Sequence, residues 1–380
     1  MTTKKLYYAD CHLQEFSAKV LYCEAVDGGY HVVLDATAFY PEGGGQASDI
    51  GTLGDVRVLH AKEAEETVVH LCDGPLDPGS SVTGRIDYAR RLVLMQQHTG
   101  EHILSGIIHK RYGYHNTGFH VGNDTVTIDF DGMFPAEDIP VLENLANQVV
   151  WENLPVSCTY PSQEELPTIP YRSKRELPWP VRIVEVPDTD LCACCGVHVA
   201  RTGEVGAIKL LSCIKFHQGV RMELVCGKRA LRWFQQVYEQ NRLVSQAFSA
   251  RVLETGAAAQ KMNEQLSAEK LRANTLQKQV FDSIAKSYTD AGNVVHFEEN
   301  LAPGQVRELA DAIGKVCGGA AAVFSGKDED SYSLCVIGPG AKELGSAAVG
   351  ALNGRGGGKP DAFQGSLKTT KAEIDAFFQK

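Results

Sequence analysis

Over 380 residues, 43% hydrophobic and 22% charged, the composition is that of a globular chain of roughly two to four domains. It excludes a membrane-spanning helix, because no apolar run approaches ~18 residues, and the lysines near Met1 lack the apolar segment that follows them in a secretory signal. A net charge of −10 excludes indiscriminate affinity for nucleic acid while leaving room for a local basic track.

In chain order, the first elements are short β-branched or alternating runs: Val20-Leu21-Tyr22, Tyr30 to Leu34, Val56 to Leu59 and Thr67 to Leu71. Turns such as Asp27-Gly28-Gly29 and Asp73-Gly74 separate them, so residues 1–87 are predicted to form a small β-barrel. A helix begins near Tyr88, since Leu92, Met95, Thr99, His102 and Leu104 recur at helical spacing up to Tyr112, and mixed strands and helices make 88–227 an α+β domain. No proline lies between Pro187 and Pro303, and residues 228–291 are rich in helix formers. They read as a long helical hairpin joined at Thr255-Gly256, with Met262, Leu266, Leu271, Leu276, Val280 and Ile284 along its seam. Residues 292–380 reset to strand, helix, strand, strand, helix and then a glycine run from Gly354 to Gly358, a separate C-terminal α/β domain. The fold class is therefore multidomain α+β.

Eleven cysteines scattered over this length suit reduced thiols in a cytoplasmic protein better than a disulfide framework. One cluster stands apart. His98 and His102 sit at i and i+4 on the predicted helix, where their imidazoles share a face, and Cys194 and His198 repeat that spacing downstream. Three imidazoles and one thiolate form a ligand set that favours a single zinc ion. Two alternatives compete: a closed structural zinc site of Cys192, Cys194 and Cys195, and buried thiols beside a packed His198. His98-Thr99-Gly100-Glu101-His102 also fits the H-x-x-E-H pattern of inverzincin peptidases, with Glu101 as general base. Between Ala207 and Arg232 the chain turns basic, with Lys209, Lys215, Arg221, Lys228, Arg229 and Arg232 against Glu223, either a solvated face or an anion-binding track.

The two elements His98-x-x-x-His102 and Cys194-x-x-x-His198 resemble the bipartite zinc signature of the alanyl-tRNA synthetase editing domain and its free-standing AlaX-type relatives. Phe39-Tyr40-Pro41-Glu42-Gly43-Gly44-Gly45-Gln46-Ala47-Ser48-Asp49 is similar to the family segment that precedes the first element. Arg201 to Gly206 resembles the run after the second, and Gly219 to Glu223 the strand that closes the domain. The long helices and Gly356 to Asp361 resemble the C-terminal region kept by the long subclass. The second signature is usually Cys-Gly-Gly-Thr-His, and Cys195 and Val197 depart from it here; Cys194 is the expected sulfur ligand because it keeps the three-residue gap, with Cys195 as the alternative.

The resemblance implies a zinc-dependent deacylase that hydrolyses mischarged alanine tRNA in trans, serine being the leading wrong amino acid and glycine the second. The sequence shows nothing like the nucleotide-binding, ATP-using core of a class II synthetase, so the chain is expected to deacylate without aminoacylating. Glu101 is then a candidate base or orienter, unless it faces solvent. Gln46, on the loop with Gly44 and Gly45, is a candidate for positioning water, unless it only braces a turn, and Arg221 is a candidate substrate contact. The C-terminal half is expected to bind tRNA or to carry a homodimer contact. A non-catalytic tRNA-binding protein with a structural zinc is the remaining alternative.

Overall fold

The strand Glu15–Val26 buries Phe16, Ala18 and Val20 and exposes the residues between them, the two-residue period of a sheet with one face in a core. In the computed structural model, which describes residues 1–173, 177–328 and 330–379, this strand begins a closed barrel of six antiparallel strands. Around the barrel they run Glu15–Val26, Gly29–Leu34, Thr67–Cys72, Val56–Ala64, Gly51–Leu53 and Ser81–Ile86. Val32, Leu34, Phe39, Leu53 and Val68 fill the interior.

The helix α1, Tyr88–Tyr112, follows at once. Asp87 caps it by accepting from the Arg90 N–H at 3.0 Å, and Gly113 ends it in the left-handed region at φ 73°. Unlike a surface helix, α1 is buried on most sides between Leu94 and Ile108. A second helix, α2, Asp138–Glu152, buries Leu142, Ala146 and Val150 at four-residue spacing in the same core. A four-stranded antiparallel sheet, ordered Ile208–Phe216, Gly219–Cys226, Val126–Phe130, Asn116–Val121, contributes Val121, Val126, Ile128, Val220, Met222 and Leu224 to it. A three-stranded sheet of Ser157–Thr159, Ile183–Val186 and Asp190–Ala193 leads into Cys194.

The chain separates into two compact units, Met1–Leu243 and Val244–Lys380. The barrel and the α+β region thus belong to one unit, and the stretch 228–291 is divided between the two. The helix α3, Gly227–Ala247, buries Ala230 in its first turn, and α4, Thr255–Lys286, buries Phe281 and Ala285 near its end. The interruption falls at 248–254, and Thr255-Gly256 opens α4 rather than forming the joint expected from sequence. Met262, Leu266, Leu271, Leu276 and Val280, expected along a seam, are exposed.

In the second unit the sheet order is Gly292–Glu298, Gly318–Gly326, Tyr332–Ile337, Ala362–Leu367, Gly354–Lys359, parallel in the first pair and antiparallel beyond it. The helix Pro303–Gly314 supplies Val306, Leu309 and Ile313 to one apolar cluster with Phe281. Ala348 and Ile374 join Phe324 and Phe363 in another. The glycine run forms the edge strand. Among the described residues no helix is long and apolar enough to cross a membrane, and all eleven cysteines are free.

One buried ion pair fastens the glycine-rich loop to α1. Arg91, fully buried, donates from Nε to Asp49 Oδ2 at 2.8 Å and from Nη2 to the same oxygen and to the Ala38 carbonyl. Asp49 Oδ2 also accepts the Tyr40 N–H at 2.6 Å. Removing one partner of such a pair strands the other charge, so Arg91→Met should cost about 3–5 kcal/mol, read as a lower denaturant midpoint. Adding Asp49→Leu should restore only part of it, because the Tyr40 N–H then lacks its acceptor; an unchanged midpoint in the single variant would mean that the pair is dispensable.

Candidate metal centre and its cavity

Helical spacing brings His98 and His102 to one side of α1, with ring centroids 5.3 Å apart. Cys194 follows the strand Asp190–Ala193, and the turn after it carries His198 back toward α1. The four residues offer ligand atoms that all lie within 4.8 Å of one another. Cys194 Sγ is 3.4 Å from His98 Nε2 and 3.5 Å from His198 Nε2. Cys194 is therefore the sulfur of the cluster, and Cys195 is exposed.

Each imidazole is held from behind by a different partner. His98 Nδ1 donates to Gln46 Oε1 at 2.7 Å, His102 Nδ1 donates to Asp190 Oδ2 at 2.9 Å, and His198 Nδ1 is 3.2 Å from Thr99 Oγ1. With every Nδ1 engaged, the Nε2 atoms remain for a shared centre, as in metal-ligating histidines. Arg172 Nε donates to the other oxygen of Asp190 at 2.7 Å, so Asp190 is itself anchored. Close approach is enforced by glycine. A Cβ on Gly196 would lie 2.2 Å from His98 Cε1, and one on Gly45, at φ 81°, would lie 2.7 Å from Phe119 Cδ1.

The electrostatics suit a cationic guest. Burial would raise the Cys194 pKa, but the His98 charge and hydrogen bonds from His102 and His198 bring it well below the thiol range. Burial, reinforced by His102 and His98, pushes His198 down to about 3, leaving it neutral as a ligand must be. His102 is held well above 6.5 despite burial by its bond to Asp190 and by the Cys194 thiolate, so its Nε2 carries a proton that a metal ion would have to displace. Burial pushes Cys192 up to about 11, so that thiol stays protonated. The donor set of three imidazoles and a thiolate therefore fits zinc.

A cavity of about 410 Å³ opens onto the cluster, lined among others by Gly44, Gly45, Glu101, Phe119, Arg172 and Leu177. Glu101 does not face solvent: it is buried, its Oε1 accepts from Ser105 Oγ at 2.7 Å and from Asn116 Nδ2, and its Oε2 lies 3.9 Å from His102 Nε2. Gln46 is turned behind His98 and is absent from the lining, whereas its neighbours Gly44 and Gly45 are part of it. Arg221 stands apart from the cavity, where Asp129 holds its guanidinium through two bonds of 2.7 and 2.8 Å. Sequence reasoning missed Asp190, Arg172 and Asn116. For Asp190 a signal existed, since Asp190, Cys192 and Cys194 alternate along one strand face.

Three family models match the chain: tRNA synthetases class II (A) over residues 3–90, the threonyl and alanyl tRNA synthetase second additional domain over 181–221, and the DHHA1 domain over 290–380. An alanine–tRNA ligase of Thermofilum pendens is 33% identical over 395 residues, covering 97% of this chain but 43% of the ligase, so the chain spans less than half of that relative. The alanyl-tRNA editing proteins Aarsd1-A of Xenopus laevis and Aarsd1 of Mus musculus are 26% and 27% identical, each covered over 96% of its length. Fold, site and matches define a multidomain protein related to alanyl-tRNA synthetase. Within that class the chain is similar, along nearly its whole length, to the alanyl-tRNA editing proteins, and the matches fit a long-form AlaX-type protein.

Second partners of metal-bound histidines typically matter 10–100-fold to metal affinity. Asp190→Asn should therefore weaken zinc binding by about that factor in competition with a chromophoric chelator, and an unchanged affinity would detach Asp190 from the centre.

Proposed function

We propose that this protein is a zinc-dependent deacylase that hydrolyses the ester joining a wrong amino acid to alanine tRNA, acting in trans on RNA charged elsewhere. The observation that carries this reading is the convergence of His98, His102, Cys194 and His198, the first three of which line a cavity, in a chain whose full-length relatives are named for alanyl-tRNA editing. A zinc ion held by these four residues supplies Lewis acidity toward a carbonyl or a bound water. Around it, Gln46 fixes the tautomer of His98, and Asp190 that of His102. Glu101, anchored by Ser105 and Asn116, presents a carboxylate to the cavity that can accept a proton from water or orient it.

Serine is the favoured wrong amino acid. A site that must spare alanine gains most by hydrogen-bonding the serine hydroxyl, because alanine then leaves polar groups unpaired. Gln46 Nε2 and Asn116 Oδ1, each on a side chain bonded to a cavity residue, are buried without partners. Glycine, one methyl smaller than alanine, is the harder second substrate.

Seryl-tRNA(Ala) should be hydrolysed by the protein with about one zinc per chain and lost on chelation, and His102→Ala or Cys194→Ala should lower zinc content and rate together. Full activity in metal-free protein would sink the zinc reading. Glu101→Gln should reduce deacylation modestly; complete loss, with peptide cleavage by the parent protein, would favour the H-x-x-E-H peptidase instead. A protein that binds tRNA and holds zinc but hydrolyses neither substrate would be a binding module.

We assign tRNA affinity in part to the second unit, Val244–Lys380, which carries Arg355, Lys359 and Lys368. Ending the chain after Leu243 should raise KM for seryl-tRNA(Ala) more than it lowers kcat and should flatten the salt dependence of binding. Equal affinity and equal salt slope would point to homodimerisation through the C-terminal half.

A further inference from the structure

The basic stretch near Arg232 divides into two populations. Lys209 is paired with Glu143 at 2.9 Å and Arg221 with Asp129, so neither is available to an anion. Lys228, Arg229 and Arg232, in the first turns of α3, instead line a second cavity of about 300 Å³ together with Arg90 from α1. Among the described residues no acid lines it; Asp124, next to the lining residue Asn123, is the carboxylate that Arg229 senses. Arg90 is committed through Nη1 to the Ser48 carbonyl. Arg229 Nη1, by contrast, is buried with no hydrogen-bond partner.

Surface cations are ordinarily spread apart in water, and a solvated face would be the ordinary account of this stretch. It does not explain the geometry. Burial depresses the Arg229 pKa, Asp124 and Cys226 offset part of that, and Arg232 and Arg90 depress it further, so a half-buried guanidinium is held among like charges whose outer members, Lys228 and Arg232, remain exposed. An unpaired buried guanidinium N–H costs stability unless an acceptor enters. The charge is also local, since the whole chain is at −10.

Position identifies the acceptor. Gly45 lines the metal cavity and Ala47, two residues along the same loop, lines this one. The Gly45 carbonyl is fixed by the Val121 N–H at 3.0 Å, and Val121 belongs to the cationic lining. A substrate whose ester occupies the first cavity carries backbone phosphates within a nucleotide or two of that ester. We propose that the cavity of Arg90, Lys228, Arg229 and Arg232 is a phosphate subsite, which holds the sugar–phosphate backbone of the RNA 3′ end while its terminal ester enters the metal cavity. The assignment rests on the deacylase reading above and adds to it where the RNA backbone is gripped.

The test uses the full-length protein and Arg229→Gln, Arg232→Gln and the double variant, each checked for unchanged zinc content and unfolding midpoint. Three probes are compared: seryl-tRNA(Ala), 3′-O-seryl-adenosine, which has the ester but no phosphate, and an unacylated RNA oligonucleotide ending in CCA. The double variant should raise KM for seryl-tRNA about tenfold, shifting the ratio of rates on seryl-adenosine and seryl-tRNA by the same factor. Oligonucleotide binding should lose about one unit of salt slope per cation removed. Arg229→Lys, which keeps the charge but not the fork of donors, should restore part of the loss. An equal loss on seryl-adenosine would mark the arginines as structural, and unchanged KM and salt slope would remove the subsite; either result overturns the proposal. If the parent hydrolyses neither ester, the deacylase reading fails, and oligonucleotide binding alone then decides whether the cavity takes phosphate.

Discussion

The buried pair of Arg91 and Asp49 sets the position of almost everything else in the site. A guanidinium without exposure can be kept in the interior only if its donors are matched, and here they go to the Asp49 carboxylate and the Ala38 carbonyl, at the two ends of the glycine-rich segment. That segment is thereby registered against α1 about two turns before His98. Gln46 can then reach His98 from behind, while Gly44 and Gly45 form part of the cavity wall. Had the loop been free to slide along the helix, the imidazole would have no fixed tautomer and the wall no fixed shape.

The same economy of polar groups runs through the candidate metal centre. Three histidines and a cysteine packed this closely would repel or desolvate one another as isolated groups, and the arrangement holds because protonation is distributed unequally. Asp190 keeps His102 charged, burial keeps His198 neutral, and the cationic neighbourhood draws Cys194 toward the thiolate. A divalent cation satisfies the same electrostatic demand. Arg172 in turn neutralises Asp190, which extends the network from the ligands to the cavity wall.

On the proposed reading, an acidic protein that acts on RNA must confine its positive charge to places where phosphate passes. Pairing of Lys209 and Arg221 with carboxylates removes them from that role, and Lys228, Arg229 and Arg232 lie beside the loop that also borders the candidate metal cavity. Non-specific attraction is thereby kept low while a short stretch of backbone can still be held near the reacting bond.

The sequence by itself determined the periodic features. Two-residue alternation marked the strands before Ile86, four-residue spacing put His98 and His102 on one helix face, and the repeated Cys194-x-x-x-His198 named the other half of the ligand set, because these signals live within a few residues of chain. The glycine run at Gly354 carries no strand signal of its own, because glycine has no side chain to pack, and only backbone pairing with Ala362–Leu367 makes it an edge strand. Only the tertiary structure decided what each polar group faces. It turned Gln46 behind a histidine, buried Glu101 beside Ser105 and Asn116, removed Arg221 from the cavity and brought Asp190 to His102, since all of these depend on partners far away along the chain. Spacing fixes which residues can share a face, but only long-range packing determines which partner lies across from that face.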